Sequence, residues 1–246
     1  MHGRWRQTRH TRLAHLCFDA NDPVRLATFW SAALGWEIDD SVEGFVRVRP
    51  TDGTSFGFDF LPVPEPKTWK NPLHLEVLSE SDEQQPEVVD RLLSLGARRI
   101  DVGQGPDDVV LADPEGNELC VFPRNDFFAD TGVLCSIAFE PAHPTTGYFW
   151  GEALGWPVVY DEAGDTAVRA PDGTGPFLTF GPPGVNKRGK NRLHLDLAPD
   201  DGEDQSAEVE RLLALGATRV DIGQGDVPWV VLADPNGNEL CVLRPE

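Results

Sequence analysis

Apolar and polar residues alternate with period two along Leu13 to Asp19 (LAHLCFD), the spacing of a half-buried strand. Asp22-Pro23 follows as an N-cap and first-turn proline, and Leu26, Phe29, Trp30, Ala33 and Leu34 then recur at helical spacing until Gly35. Three short strand patterns come next, at Trp36–Asp39, Phe45–Arg49 and Ser55–Phe60, with Asp52-Gly53 as a hairpin turn. The order then restarts. LHLEVL from Leu73 is a strand, Gln85 to Leu95 a helix stopped by Gly96, and Arg98–Val102, Val109–Ala112 and Glu118–Phe122 are strands, the last two joined by the turn Asp113-Pro114-Glu115-Gly116. The pattern predicts an α+β fold made of βαβββ units, with helices covering one face of each curved mixed sheet and the other face left concave.

The whole arrangement is then repeated. LLSLGARRIDVGQG from Leu92 returns as LLALGATRVDIGQG from Leu212, 120 residues on, and VLADPEGNELCV from Val110 returns as VLADPNGNELCV from Val231, 121 residues on. That period is too long for a solenoid unit and marks duplicated domains, hence four βαβββ units in all. The expected division is a flexible basic N-terminal tail over 1–12, a first domain over 13–124 and a second over 133–246, with a short connector near Arg124 to Gly132.

Alternation also sorts side chains by face. His15, Cys17 and Asp19 share one face of their strand, as do His74 and Glu76, and Glu118 and Cys120, while Leu16, Phe18, Leu119 and Val121 point to the helices. In the second half the same rule collects Ser136, Ala138 and Glu140, then His194 and Asp196, then Glu239 and Cys241. Imidazoles and carboxylates on adjacent strands are the material of a divalent-metal or acid/base site. Basic loops precede each restart strand: Lys67, Lys70 and Asn71 in one half, Lys187, Arg188, Lys190, Asn191 and Arg192 in the other. Cations there would hold a ligand carboxylate or phosphate at the cleft mouth. The expected ligand-binding set is therefore His15, Asp19, Lys70, Glu76, Cys120, Lys190, His194, Asp196, Glu239 and Cys241, with His74 and Glu118 as the candidate acid/base pair.

Composition narrows the partners. A formal charge of -20 over 246 residues argues against nucleic acid or an anionic membrane, because phosphate contact needs a basic face. The exception is the N-terminal tail, where Arg4, Arg6, Arg9 and Arg12 flank Trp5. No apolar run approaches a membrane span and the start lacks the apolar stretch of a secretory signal, so a cytoplasmic protein with a small-molecule partner is expected. Four cysteines without CxxC spacing, all inside strand patterns, point to buried free thiols.

LAHLCFDANDP, the LGW at Leu34 to Trp36, PEPKTWKNPLHLEV and LADPEGNELCVF together resemble the glyoxalase-like family of the vicinal oxygen chelate superfamily, which includes glyoxalase I, extradiol dioxygenases, fosfomycin-resistance proteins and bleomycin-binding proteins. In metal-using relatives one His lies on the first strand, a second opens the restart strand, and a Glu follows the DPxGN turn. His15 and His74 match the first two positions; Cys120 stands at the third, with Glu118 two residues earlier. In the second half Ser136 replaces the first His, His194 matches the second and Cys241 replaces the Glu. With these altered triads the resemblance implies a protein that binds a small organic metabolite or drug-like molecule with no obligatory metal. The alternative is a metal-dependent lyase, isomerase or dioxygenase holding zinc, iron, manganese or nickel in the first domain through His15, His74 and Cys120. A further alternative is metal-free acid/base catalysis by His74 with Glu118. Relatives also exist in which one cleft draws on units of different domains, so His15 faces either His74 or His194. The pairing of units and the oligomeric state are not set by the sequence.

Overall fold

The computed structural model describes residues 11–102, 109–140, 145–181, 187–200 and 202–245. The basic tail with Arg4, Trp5, Arg6 and Arg9 lies outside the described residues. Its last two positions, Thr11 and Arg12, belong to the first strand, because they pair with Pro199 and Ala198.

The four units appear in order. The first contains β1 (Thr11–Ala20), α1 (Pro23–Leu34), β2 (Glu37–Asp39), β3 (Val46–Arg49) and β4 (Gly57–Pro62). The second contains β5 (Leu73–Leu78), α2 (Gln85–Ser94), β6 (Arg98–Arg99), β7 (Val109–Ala112) and β8 (Glu118–Phe122). The third contains β9 (Leu134–Phe139), α3 (Thr146–Leu154), β10 (Val158–Glu162), β11 (Asp165–Val168) and β12 (Phe177–Phe180). The fourth contains β13 (Leu193–Pro199), α4 (Gln205–Leu215), β14 (Thr218–Arg219), β15 (Val230–Ala233) and β16 (Glu239–Val242). Helix α1 starts where the sequence places it: the Asp22 carboxylate accepts the Arg25 amide, Pro23 opens the first turn, and Gly35 ends the helix at φ 73°, a left-handed position that disfavours side chains.

The strands form two mixed eight-stranded sheets, ordered β14-β15-β16-β13-β1-β4-β3-β2 and β10-β11-β12-β9-β5-β8-β7-β6. The first sheet thus joins the first unit to the fourth, and the second joins the second unit to the third. The seams are antiparallel: β1 runs beside β13 from Thr11 opposite Pro199 to Phe18 opposite Leu193, and β5 runs beside β9 from Leu73 opposite Phe139 to Val77 opposite Leu134. Every sheet therefore contains strands from both sequence repeats. Helices instead tie within a repeat. Arg91 of α2 donates to Ala32 and Ala33 carbonyls at the end of α1, and Arg211 of α4 donates to Glu152 and Ala153 at the end of α3, each cation satisfying orphan carbonyls at a negative helix end.

One apolar core serves both sheets and all four helices, with Leu16, Phe18 and Trp30 in the same cluster as Leu75, Ile137, Trp150 and Leu212. Leu119 and Val121 lie in that cluster, so the polar residues beside them on β8 belong to the other, helix-free face. Trp30 and Trp150 are fully buried and each indole N–H reaches an aspartate of the turn before β8 or β16, Asp113 at 3.2 Å and Asp234 at 3.1 Å. All four cysteines are free and buried.

Candidate functional site

The helix-free face of the first sheet brings together polar residues from the two ends of the chain. Along the β1–β13 seam His15 lies opposite Asp196 and Cys17 opposite His194; β4 sets Asp59 beside Cys17, and β16 sets Cys241 beside Asp196. Residues in register share a face, so six donors or acceptors converge there. The arrangement is pseudo-symmetric, His15, Cys17 and Asp59 of the first unit answering His194, Asp196 and Cys241 of the fourth. Arg47 on β3 grips Asp59 with two hydrogen bonds of 2.7 Å, and Asp59 in turn lies 3.7 Å from His15 Nδ1.

Burial and charge give these groups distinct states. Burial lowers the His15 pKa, with Asp59 opposing and Arg47 assisting, so His15 is neutral at pH 7. Burial also works against charge on His194, but Cys241, Cys17 and Asp196, whose carboxylate lies 3.4 Å from Nε2, raise it well above the usual imidazole range. Asp196 is lowered: burial pushes its pKa up, and His194 more than compensates. Burial raises Cys17 and Cys241, keeping both as thiols. His15 Nδ1 is buried without a hydrogen-bond partner, and the buried Asp196 Oδ1 has only its ion pair with His194. Such orphaned atoms cost desolvation energy unless a ligand meets them.

The second sheet presents a different face. His74 Nε2 lies 3.6 Å from Glu76, its Nδ1 lies 3.8 Å from Glu140, and Cys120 stands in register with Glu76. Ser136 and Thr179 from the third unit hydrogen-bond to each other at 2.7 Å. The connector folds over the other end of this face. A short 3-10 turn, Asp126–Phe128, lays Phe128 against Phe122 and Phe177 with ring centroids 6.2 and 5.4 Å apart, and Phe127 packs between Phe177 and Tyr160. An internal plug therefore fills part of the hollow that the fold pattern leaves open.

Burial opposes protonation of His74, yet Cys120 and Glu76 raise its pKa to about 10. A raised folded-state pKa adds stability that is complete below about 6.5 and disappears as pH climbs through the folded value. Thermal stability is therefore expected to fall between pH 7 and pH 10 by on the order of a few kcal/mol, and by distinctly less in His74→Gln. Equal slopes for the two proteins in pH-dependent melting would count against this assignment.

Three expectations from the sequence are corrected. The proposed metal set of His15, His74 and Cys120 is not assembled, since β1 lies in one sheet while β5 and β8 lie in the other. His15 faces the fourth unit instead. Glu118 is not placed as an acid/base partner of His74: Lys67 Nζ holds one of its oxygens at 2.7 Å and the Asn71 amide the other at 3.1 Å. Glu239 repeats that role with Lys187 and the Asn191 amide, so both glutamates latch the loop before a restart strand. Of the two loop lysines, Lys70 is paired with Glu140, and Lys190, paired with Asp19, lines a cavity.

Residues missed as site members are Asp59 and Arg47; alternation places Cys17 on the polar face, but the ligand and metal sets expected from the sequence do not include it. Cys17, His194 and Asp196 offer sulfur, nitrogen and oxygen atoms all within 4.8 Å of one another, the one such group among the described residues. Their spacing and mixed donor chemistry fit a divalent ion of the zinc type, provided that the ion displaces the thiol proton of Cys17 and the proton shared by His194 and Asp196. The signal was present in the alternation of β1 and β4, where Asp59 stands between two buried phenylalanines.

The glyoxalase-like domain family matches the chain twice, over residues 15–122 and 136–243. Together with the paired βαβββ units, this shows that the chain belongs to the glyoxalase-like family, as a tandem vicinal oxygen chelate protein. Among solved structures, glyoxalase I from Zea mays is similar with a TM-score of 0.66 at 16% identity, covering 95% of this chain and 92% of that one. A putative dioxygenase from Bacillus subtilis subsp. subtilis str. 168 has a TM-score of 0.58 at 14% identity, covering 96% and 86%. At such identities the likeness is one of fold. Among curated proteins none matches. No helix of the described residues is long and apolar enough to cross a membrane.

Proposed function

We propose that this protein binds a small organic molecule on the helix-free face of the first sheet, between the first and fourth units, with no obligatory metal. The observation that carries the reading is a pair of under-satisfied buried atoms, His15 Nδ1 without a hydrogen bond and Asp196 Oδ1 with only the 3.4 Å ion pair to His194, on a face where six polar side chains converge. A ligand with both a donor and an acceptor satisfies them together: neutral His15 can accept or donate, and Asp196 accepts. Arg47 fixes Asp59, which orients the His15 ring, and the imidazole is placed to exchange a proton with bound substrate if a reaction follows. The second sheet, with its hollow partly filled by Phe127 and Phe128, serves as the scaffold on which the chain's middle is closed.

A second reading is favoured by the Cys17, His194 and Asp196 group: a zinc-class ion held by these residues, which would supply Lewis-acid polarisation of a substrate oxygen. Cys17 would bind as a thiolate and His194 as a neutral imidazole, so loading would release protons and weaken steeply as pH falls.

One experiment separates the readings. Elemental analysis of protein purified without chelator is expected to show well under one equivalent of metal, and a thermal-shift screen of small metabolites to yield stabilising ligands. These are expected to lose about tenfold or more in affinity in His194→Ala, which removes the cation that holds Asp196 charged and in place, the size of one buried hydrogen bond to a charged group. Near-stoichiometric zinc lost in Cys17→Ala would replace the first reading with the second. Ligand stabilisation unchanged in His194→Ala would sink the placement altogether.

A further inference from the structure

A cavity of about 380 Å³ lies between two loops of equivalent position in the two halves, the 63–69 segment before β5 and the 188–192 segment before β13. Its size is that of a small-ligand site. Asp19 lines it, and Asp19 shares a face of β1 with Cys17 and His15, so the cavity opens at one end of the polar face described above. Two residues of strand span roughly 6.5 Å, which brings Cys17 within reach of a ligand of modest length anchored in the cavity.

The walls carry hydrogen-bond donors in excess of acceptors. Arg188 is exposed and has no side-chain partner among the described residues. Arg192 is 94% buried; its terminal nitrogens reach the Glu65 carbonyl and the Glu115 carboxylate, but Nε has no partner. Lys190 uses one of three N–H groups on Asp19. The lining carboxylates are Asp19, already engaged, and Glu65, whose carboxylate has no cationic partner among the described residues. Trp69 supplies a flat apolar wall, with Gly189 of the facing loop beside its indole nitrogen. In a chain of net charge -20, four cations, Lys67, Arg188, Lys190 and Arg192, line this cavity against the carboxylates of Asp19 and Glu65, and of the four Arg188 alone has no carboxylate partner among the described residues.

The geometry points to an oxyanion subsite: the cavity takes a carboxylate or phosphate group on Arg188, Lys190 and Arg192, with a planar apolar portion of the same ligand against Trp69. This rests on the first-sheet face being the ligand site and narrows its ligand to an anionic one. Guanidinium groups match the paired oxygens of carboxylate and phosphate, and the unpartnered Arg192 Nε is the atom such an oxygen would satisfy. Glu65 acts against the ligand, because its charge competes for Arg188.

Phenyl phosphate and benzoate serve as probes, with benzyl alcohol as the neutral control, titrated calorimetrically into the full chain. The anions are expected to bind at least about tenfold more tightly than the alcohol. Arg188→Ala, on an exposed side chain whose loss leaves the fold intact, is expected to weaken phenyl phosphate about tenfold, whereas Glu65→Gln tightens it. Quenching of tryptophan fluorescence by the probe should vanish in Trp69→Phe while calorimetric binding persists. Equal affinity for the alcohol, no effect of Arg188→Ala, or no phenyl phosphate binding at about 10 mM overturns the subsite. The two readings fail separately. Ligands dependent on His194 but indifferent to Arg188 keep the face and discard the oxyanion site; phenyl phosphate dependent on Arg188, without any His194-dependent ligand, does the reverse.

Discussion

Produced separately, residues 1–124 and 133–246 are expected not to fold as independent monomers, although each carries a complete family repeat. Each half contains two βαβββ units that are not partners: β1 and β5 are in the first half, and their seams are made with β13 and β9 of the second. Cutting the chain strips both central strands of a neighbour and exposes unpaired backbone edges, a template for aggregation or for pairing with another copy. It also divides a core in which Phe18, Leu75, Ile137 and Leu195 belong to one cluster. What survives between the two units of a half is the helix contact through Arg91 or Arg211 and the indole bond of Trp30 to Asp113 or of Trp150 to Asp234, with no strand pairing between them. Refolding the halves together should restore a one-to-one complex with the circular dichroism and melting behaviour of the intact chain. Size-exclusion chromatography with light scattering gives the answer, and a monodisperse, cooperatively melting monomer from either half alone would refute the cross-paired sheets.

Trp30→Ala is expected to destabilise the chain by about 3–5 kcal/mol, the range for truncating a fully buried aromatic ring. The ring is fully buried, with Phe18, Phe29 and Phe58 centroids 5.9, 5.3 and 6.1 Å away, so truncation leaves a cavity that rigid aromatic neighbours cannot close. Its indole N–H also donates to Asp113, whose carboxylate organises the turn before β8 through the Glu115 and Asn117 amides. Asn117 passes the constraint to Asn71, and the neighbouring Glu118 holds Lys67 and the Asn71 amide. Trp30→Phe removes the hydrogen bond but retains most of the ring and should cost about 1–3 kcal/mol. For a domain of this size the alanine variant translates into a melting temperature lower by roughly 10 °C. Trp150→Ala is expected to behave alike, since Trp150 repeats the contact to Asp234. A loss below about 1 kcal/mol in chemical denaturation of either alanine variant would show that the latch is incidental.

The elements were legible because each is announced locally. Asp22-Pro23 and Gly35 bracket α1, and period-two alternation separates Leu119 from Cys120 whichever strand lies beside them. Pairing of units is another matter. β1 has the same inward and outward residues whether its neighbour is β5 or β13, so local pattern carries no information about the seam, and the set of His15, His74 and Cys120, implied by the resemblance to metal-using relatives, requires the first unit to pair with the second. Glu118 was misread for a related reason. Alternation places its Cα on the polar face, but its carboxylate is captured by Lys67 and Asn71 from a loop whose path strand periodicity does not describe. The same KxxxN spacing in Lys67 to Asn71 and Lys187 to Asn191, each ahead of a restart strand, was the trace of that latch.

The order of strands along the chain sets an order of events during synthesis. All strands of the second sheet lie between Leu73 and Phe180, so it can close while the ribosome is still working. The first sheet has to wait: β1 to β4 are finished by Pro62, yet their partner β13 begins at Leu193, 131 residues later. At ordinary elongation rates that delay is on the order of ten seconds, during which an edge bearing Leu16 and Phe18 has no mate. The nascent chain is thus most exposed to misassembly, and most in need of a holding chaperone, when it is about three-quarters made.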